Sequence, residues 1–405
     1  MLPEGWKLEK LGDIAVINPS RSEKPLDGKV SFIPMDAVSE SAKILRLDAR
    51  DYSEVSKGFT SFKNDDVIVA KITPCFENGK GAYLEGLRNG VGFGSTEFHV
   101  IRAGYKADAR FLFYLTRTSE FRVRGERNMQ GSAGQKRVTT DYIKLYKVLT
   151  PPLPEQKKIA QILSTWDNAI SATERLLENS QQRKKALMQQ LLTGKKRLPG
   201  FEGEWRKLSL GSLFKRVLTR NNGQSDNVVT ISGQHGLISQ KEFFKKSVAS
   251  EILDGYYLLV KGQFAYNKSY SNGYPMGAIK RLNRYENGVV TTLYICFELI
   301  DESNVCGDFF EQYFESGILN RGISQIAHEG GRAHGLLNVK PSDFFSLRIF
   351  IPELEEQQAI ANVLTTADQE IDALQKRLGH LKQEKKALMQ QLLTGKRRVQ
   401  VDAAA

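Results

Sequence analysis

The chain repeats itself. Glu155 opens the run EQKKIAQILSTWDNAISATERLLENSQQRKKALMQQLLTGKKR, and Glu356 opens EQQAIANVLTTADQEIDALQKRLGHLKQEKKALMQQLLTGKRR. The two align without a gap at a constant offset of 201 residues, about half of the 405-residue chain. The stretch KKALMQQLLTGK recurs whole at Lys184–Lys195 and Lys385–Lys396. Such identity in register marks a tandem duplication, and it restricts the layout to variable region, repeat, variable region, repeat. Trp6 with Leu11-Gly12, and Trp205 with Leu210-Gly211, begin the variable regions alike. Pro151-Pro152-Leu153-Pro154 and Pro352-Glu353-Leu354 close them, with proline where a strand stops and a helix can start.

The repeats read as helices. Spacings of three and four give Ile159, Leu163, Trp166, Ile170, Thr173, Leu177, Ser180, Lys184, Leu187 and Leu191 in the first copy. The second gives Ile360, Leu364, Ala367, Ile371, Leu374, Leu378, Leu381, Lys385, Leu388 and Leu392. This is the a/d seam of a coiled coil. Gly194 and Gly395 follow as C-caps, with Lys and Arg beyond them where the helix dipole favours cations. Each seam must be buried, and a globule between the two lets the chain travel back, so the helices are expected to pair antiparallel. The alternative is that each helix packs on its own globule.

The variable regions alternate like strands at Asp65–Ile72, Glu97–Ala103, around Tyr256–Val260 and at Val289–Ile300. Ala109–Glu126 and Gly307–Ser324 read as amphipathic helices. The expected fold is therefore α+β: two globular domains joined by two long helices in an antiparallel coiled coil, with a pseudo-twofold internal repeat. The boundaries are 1–150, first domain; 151–198, first spacer helix; 199–350, second domain; 351–398, second spacer helix; and 399–405, C-terminal tail.

Composition narrows the function. Lys and Arg number 58 against 46 Asp and Glu, a net charge of +12, which suits a polyanionic partner. No stretch approaches the ~18 consecutive apolar residues of a membrane span, and the N-terminus lacks a signal-peptide layout. Cys75, Cys296 and Cys306 stand apart with no CxxC pair, which reads as reduced thiols in a cytoplasmic protein. His99, His235, His328, His334 and His380 show no metal spacing. Gly90–Gly94 (GVGFG) resembles a methyltransferase glycine loop only faintly and reads as a hairpin turn; Asn18-Pro19-Ser20 likewise reads as a turn. No GxxxxGK[ST] loop is present. A catalytic role for the chain alone is thus unsupported.

The last helical turns hold more apolar residues than one seam needs. Leu187, Met188, Leu191 and Leu192, with Leu388, Met389, Leu392 and Leu393, suggest a surface displayed twice for two copies of one partner. The alternative is that they touch the chain's own globules.

The segments LPEGWKLEKLGDIA, PPLPEQKKIAQIL, KKALMQQLLTGKKRLPGFEGEW and EEQQAIANVL, with the second KKALMQQLLTGK, resemble the specificity subunit of type I restriction–modification systems over essentially the whole chain. The resemblance implies a non-catalytic subunit whose variable regions are target recognition domains, each reading half of a split double-stranded DNA site. It implies that the repeated helices dock two methyltransferase subunits, joined by restriction subunits. S-adenosylmethionine would then belong to the methyltransferase partner, ATP and Mg to the restriction partner, and no cofactor to this chain. Independently, two unlike readers on a helical spacer would recognise an asymmetric, bipartite site with an unread gap. The competing reading is a non-enzymatic nucleic-acid-binding scaffold with a coiled-coil core.

Candidate DNA contacts are polar residues near glycines, where backbone can approach closely, Lys or Arg can meet phosphate or guanine, and Asn or Gln can grip adenine. In the first domain these are Lys71, Thr73, Asn78, Lys80, Ser95, Thr96, Gln130, Ser132, Gln135, Lys136 and Arg137. In the second they are Gln234, His235, Asn267, Lys268, Ser269, Tyr270, Asn272, Arg332 and His334. Ordinary polar turns between strands would look the same. The GSAGQKR segment is the leading candidate.

Overall fold

Leu153–Leu191 and Leu354–Leu392 are α-helices of 39 residues each in the computed structural model, ~58 Å long at ~1.5 Å per residue. Residues 2–132, 134–233, 235–244, 253–327 and 337–401 are described. Both helices end as expected: Gly194 and Gly395 take positive φ (69° and 70°). The amides of Lys196 and Arg397 then reach back to the carbonyls of Gln190 (3.1 Å) and Gln391 (3.2 Å), closing the last turn.

The chain divides into two units, Met1–Glu174 with Lys376–Ala405, and Arg175–Gln375. Each unit therefore takes one variable region, the start of the helix after it and the end of the other repeat helix. Within the first unit Glu155 binds Arg398, Asp167 binds Lys385 and Glu174 binds Lys382. As one helix ascends in number the other descends, so the segments run antiparallel. Within the second unit Arg197–Glu356 and Lys184–Asp368 give the same order. Every seam position is buried or half-buried. The two sequence readings of the helices are both realised: helix pairs with helix mid-length, while helix ends sink into the adjacent globule.

Each globule contains a four-stranded antiparallel sheet of the same order. In the first unit it runs Ala15–Ile17, Phe98–Ala103, Asp66–Ala70, Gly81–Tyr83; in the second, Phe214–Arg216, Ile295–Leu299, Phe264–Asn267, Ala278–Arg281. A separate strand pair closes each globule, Lys7–Lys10 with Lys147–Thr150 and Arg206–Ser209 with Arg348–Ile351, so each repeat helix starts beside the first strand of its own region. The first core joins Trp6, Leu11, Phe111 and Phe121 to Ile159, Leu163, Leu392 and Leu393; the second joins Leu210, Phe214, Phe309 and Phe344 to Leu191, Leu192, Ile360 and Leu364.

Three local expectations change. Val289–Ile300 is not one strand: Asn287–Val290 and Ile295–Leu299 belong to different sheets, parted by a turn in which Tyr294 N–H reaches Thr291 O (3.2 Å). Ala109–Glu126 and Gly307–Ser324 each break into two helices, one at the new N-cap Thr118 and the other at Gly317 with φ +72°. The GVGFG turn is a buried strand, Val91–Gly94, paired with Lys29–Ile33 and Thr60–Lys63. A Cβ on Gly92 would lie 2.4 Å from the Phe62 ring, so glycine here serves close packing.

Candidate nucleic-acid interface

In the first globule the central strand ends at Ala70, opposite Phe98 where the neighbouring strand begins. Beyond that edge the chain turns, and the glycine-rich loop after Gln130 is tied down onto it. Val138 N–H donates to Lys71 O (2.8 Å), Thr73 N–H to Lys136 O (2.9 Å) and Lys71 N–H to Glu97 O (2.9 Å). His99 Nε2 lies 2.9 Å from Val138 O, and Asn18 Nδ2 lies 3.2 Å from His99 Nδ1. Burial pushes the His99 pKa below its ordinary value, so the ring is neutral and its Nε2–H donates to the carbonyl.

These anchors gather Lys71, Thr96, Gln130 and Arg137 around one cavity that also includes Glu97 and His99. Thr73 and Lys136 line a second cavity with Glu77 and Arg127. Ser132 and Gln135 are exposed on the loop between. Burial lowers the Lys71 pKa, although the Glu97 carboxylate pulls it back up. Arg137 is held by Glu97 through three contacts of 2.9–3.1 Å, which raises its pKa. Asn78 and Lys80 are not brought to this edge: Asn78 donates to Glu40 (2.8 Å) and Lys80 to Met35 O (3.3 Å). Ser95 Oγ accepts from Glu97 N–H (3.2 Å) and so shapes the turn.

The second globule repeats the framework with other side chains. Its central strand ends at Asn267, and Leu337 N–H donates to Lys268 O (3.0 Å), as Val138 does to Lys71. Burial depresses Lys268 as it does Lys71. Asn267 Oδ1 accepts from Ser269 N–H (3.1 Å), while Tyr270 and Asn272 are exposed. His235 lies apart from Lys268, in a cleft with Lys280, Arg281, Glu311 and Glu315. Gln234, Arg332 and His334 lie outside the described residues. Sequence reasoning missed Glu77 and the trio Tyr274, Lys280 and Glu315, whose side chains bond one another.

The helix ends require a correction. Met188, Leu191, Leu192, Leu392 and Leu393 are 1–8% exposed inside the two cores, and Leu187, Leu388 and Met389 pack against the same cores half-buried. Burying them covers the apolar faces of Leu210 and Leu213 in one globule and of Trp6 and Leu11 in the other. Met188, Leu191, Leu192, Leu392 and Leu393 are therefore internal packing and not a free docking surface, whereas Leu187, Leu388 and Met389 keep an exposed side. A half-exposed groove beside them is lined by Ile162, Trp166, Ala387 and Leu388, with Lys158 and Arg397 at its rim.

The repeats also contain a duplicated clasp that periodicity did not reveal. Trp6 Nε1–H donates to Glu155 Oε2 (3.1 Å), and Arg398 donates to both Glu155 oxygens (2.7 and 2.8 Å). Trp205, Glu356 and Arg197 make the same set (3.3, 2.6 and 2.6 Å). Beside each glutamate a fully buried glutamine pins the helix start. Gln156 accepts from Asp108 N–H and donates to Lys106 O and Pro151 O, all at 2.9 Å. Gln357 accepts from Cys306 N–H (3.0 Å) and donates to Pro352 O (2.9 Å). The signal was present in the identical Glu-Gln pairs of the repeat and the matching tryptophans.

Among the described residues no helix is long and apolar enough to cross a membrane, and no cluster of His, Cys, Asp and Glu could hold a metal. Residues 3–179 match the family model described as the type I restriction modification DNA specificity domain. The chain is 35% identical over 214 residues to the type I restriction enzyme EcoAI specificity subunit of Escherichia coli, covering 51% of this chain and 36% of that one. It is 36% identical over 186 residues to the EcoEI specificity subunit of the same species, covering 44% and 30%. The chain thus spans about a third of the length of these two relatives. The putative MjaX specificity subunit of Methanocaldococcus jannaschii is 24% identical over 98% of this chain and 95% of its own. In fold, the HsdS subunit from Thermoanaerobacter tengcongensis superposes with a TM-score of 0.52 at 20% identity, over 97% and 98% of the two chains. A chain from a structure of the type I R-M system gives 0.57 at 18% identity, over 98% and 99%. Residues 3–179 thus match a type I restriction modification DNA specificity domain, and over its whole length the chain is similar to specificity subunits of type I restriction–modification systems.

Proposed function

We propose that this chain is the non-catalytic, DNA-reading subunit of a type I restriction–modification complex in the cytoplasm. Each globule reads one half of an asymmetric, split double-stranded site. The observation behind this reading is one framework with two chemistries. A half-buried lysine, Lys71 or Lys268, follows the central strand of each globule and accepts the amide of the segment after a glycine-rich loop. The side chains displayed around it differ between the two. Equivalent placement with different donors and acceptors is what reading two unlike half-sites requires.

Two methyltransferase subunits would dock along the helices, one on the groove of Ile162, Trp166 and Leu388, the other on the positions that repeat it, Val363, Ala367 and Leu187. Restriction subunits would join through them. S-adenosylmethionine would be bound by the methyltransferase, and ATP and Mg by the restriction subunit. Co-expression with the cognate methyltransferase, followed by genome-wide mapping of N6-methyladenine, tests the reading. One split motif that vanishes when this chain is omitted supports it. Good expression of both proteins without any chain-dependent motif overturns it in favour of the scaffold reading.

A further inference from the structure

Arg137, in a short strand paired with Gln130, is held by several contacts at once. Its Nε and Nη2 both face the Glu97 carboxylate, with Nε 3.1 and 3.0 Å from the two oxygens and Nη2 2.9 Å from one of them. Its Nη1 donates to the carbonyl of Gln135 (3.0 Å), two residues back along its own chain. A guanidinium has five N–H bonds in a fixed plane, and these contacts engage three of its nitrogens. One N–H remains on each terminal nitrogen, and that pair matches the side-by-side O6 and N7 acceptors of guanine in the major groove. Glu97 is itself fixed by Ser95 Oγ on its amide and by the Lys71 amide on its carbonyl. The Lys71 ammonium borders the same cavity, so the site has two cations against one carboxylate and stays attractive to DNA.

We propose that Arg137, aligned by Glu97, reads a guanine in the half-site of the first globule. This deepens the DNA-reading function and depends on it. Arg137 supplies the recognition and Glu97 is a positioning residue, because a guanidinium free to rotate would meet phosphate as readily as a base. Lysine could keep the charge but not the fork.

The test is sequence selection from a randomised duplex library by the full chain with its methyltransferase, comparing wild type with Arg137→Lys, Arg137→Ala and Glu97→Gln. The wild type is expected to select a split site with a guanine in one half. Arg137→Ala should lose roughly tenfold or more of the preference at that single base pair, and Arg137→Lys, which keeps a donor but not the fork, a smaller part of it. Glu97→Gln, which keeps one acceptor, should lose several-fold at the same position. The other half-site, selected unchanged, certifies that each variant is folded. Equal weakening at every position, which marks a phosphate contact, overturns the proposal, as does a half-site whose guanine preference survives Arg137→Ala. Failure of the wild type to select any sequence overturns the DNA-reading function itself, a result distinct from both.

Discussion

Replacing Gln156 should loosen the joint between the first globule and its spacer helix more than replacing Gln357 loosens the second. Both side chains are 0% exposed, so water cannot take over their bonds. Gln156 makes three hydrogen bonds, one accepted from Asp108 and two donated to Lys106 and Pro151. Gln357 makes two. At about 1 kcal/mol for each neutral bond, with more for a group left buried and unpaired, Gln156→Ala should cost about 3–4 kcal/mol and Gln357→Ala about 2–3 kcal/mol. Gln156→Glu is the sharper variant. It keeps the acceptor for Asp108 but turns a carboxylate toward two carbonyl oxygens, so it should cost at least as much as alanine. Because two units need not unfold together, a single denaturation midpoint is a poor readout. Amide exchange resolved by peptide separates them: protection around Lys106–Phe111 should fall in the Gln156 variants, and that around Cys306–Phe310 in Gln357→Ala. A Gln156→Ala protein with wild-type exchange at Asp108, or a Gln156→Glu protein as stable as wild type, would refute the reasoning.

The corrected helix ends make a second prediction: Leu392→Ala should cost about 2–5 kcal/mol of stability in the first unit, as a core truncation does, and thermal unfolding of the free chain would read it. Trp166→Ala, at a half-buried position, should cost less stability than Leu392→Ala while weakening co-purification of the methyltransferase; equal retention of the partner would move the docking site elsewhere. Acid should loosen the first reading loop. The folded pKa of His99 lies below its unfolded value near 6.5, so the unfolded state takes up the proton first and stability falls as pH drops through that value toward the folded one. The protection factor at Val138, taken relative to the intrinsic exchange rate at each pH, should fall between about pH 7.5 and 5.5, and His99→Gln should flatten the response. Inserting four residues in both long helices should lengthen each by ~6 Å and widen the unread gap by one or two base pairs at ~3.4 Å each; an unchanged gap would exclude the helices as its ruler.

The helices were legible because their signal is redundant. A seam at alternating spacings of three and four, glycines at both ends and a second copy 201 residues away all state the same element. What the leucine-rich ends pack against was not legible. Leu191 and Leu392 have the same sequence surroundings whether they face a partner or the chain's own globule, and only the fold brings Leu210 or Trp6 to meet them. The strands failed where length decided: Val289–Ile300 is rich in β-branched and aromatic residues, and Thr291 and Thr292, at home in a strand, do not mark the turn that falls there. Among the candidate contacts, Lys71 and Arg137 were selected as cations near glycine, and the fold does bring them together. Asn78 and Lys80 satisfied the same rule, yet they bond Glu40 and Met35, partners far away in sequence. Composition near a glycine says that backbone can approach a ligand; it does not say which side of the strand edge the side chain leaves from.

The division between constant and variable chemistry runs through the helices themselves. Asp167 and Asp368 are repeats of one another, and each accepts from the repeated lysine, Lys385 or Lys184, at 2.5 or 2.6 Å. Each also accepts from its globule, but there the donors differ: the Tyr114 hydroxyl in the first unit and the Gln312 amide in the second, both at 2.8 Å. Helix-to-helix bonds are thus identical in kind, whereas the bond from helix to globule demands only a donor of the right reach. That tolerance lets a globule change its sequence while the aspartate that seats it stays the same. A Tyr114→Gln exchange should therefore be milder than Tyr114→Phe in bond energy, although glutamine fills less of the core. If Tyr114→Phe proved neutral in thermal unfolding of the first unit, Asp167 would be satisfied by Lys385 alone and the seating role would fall.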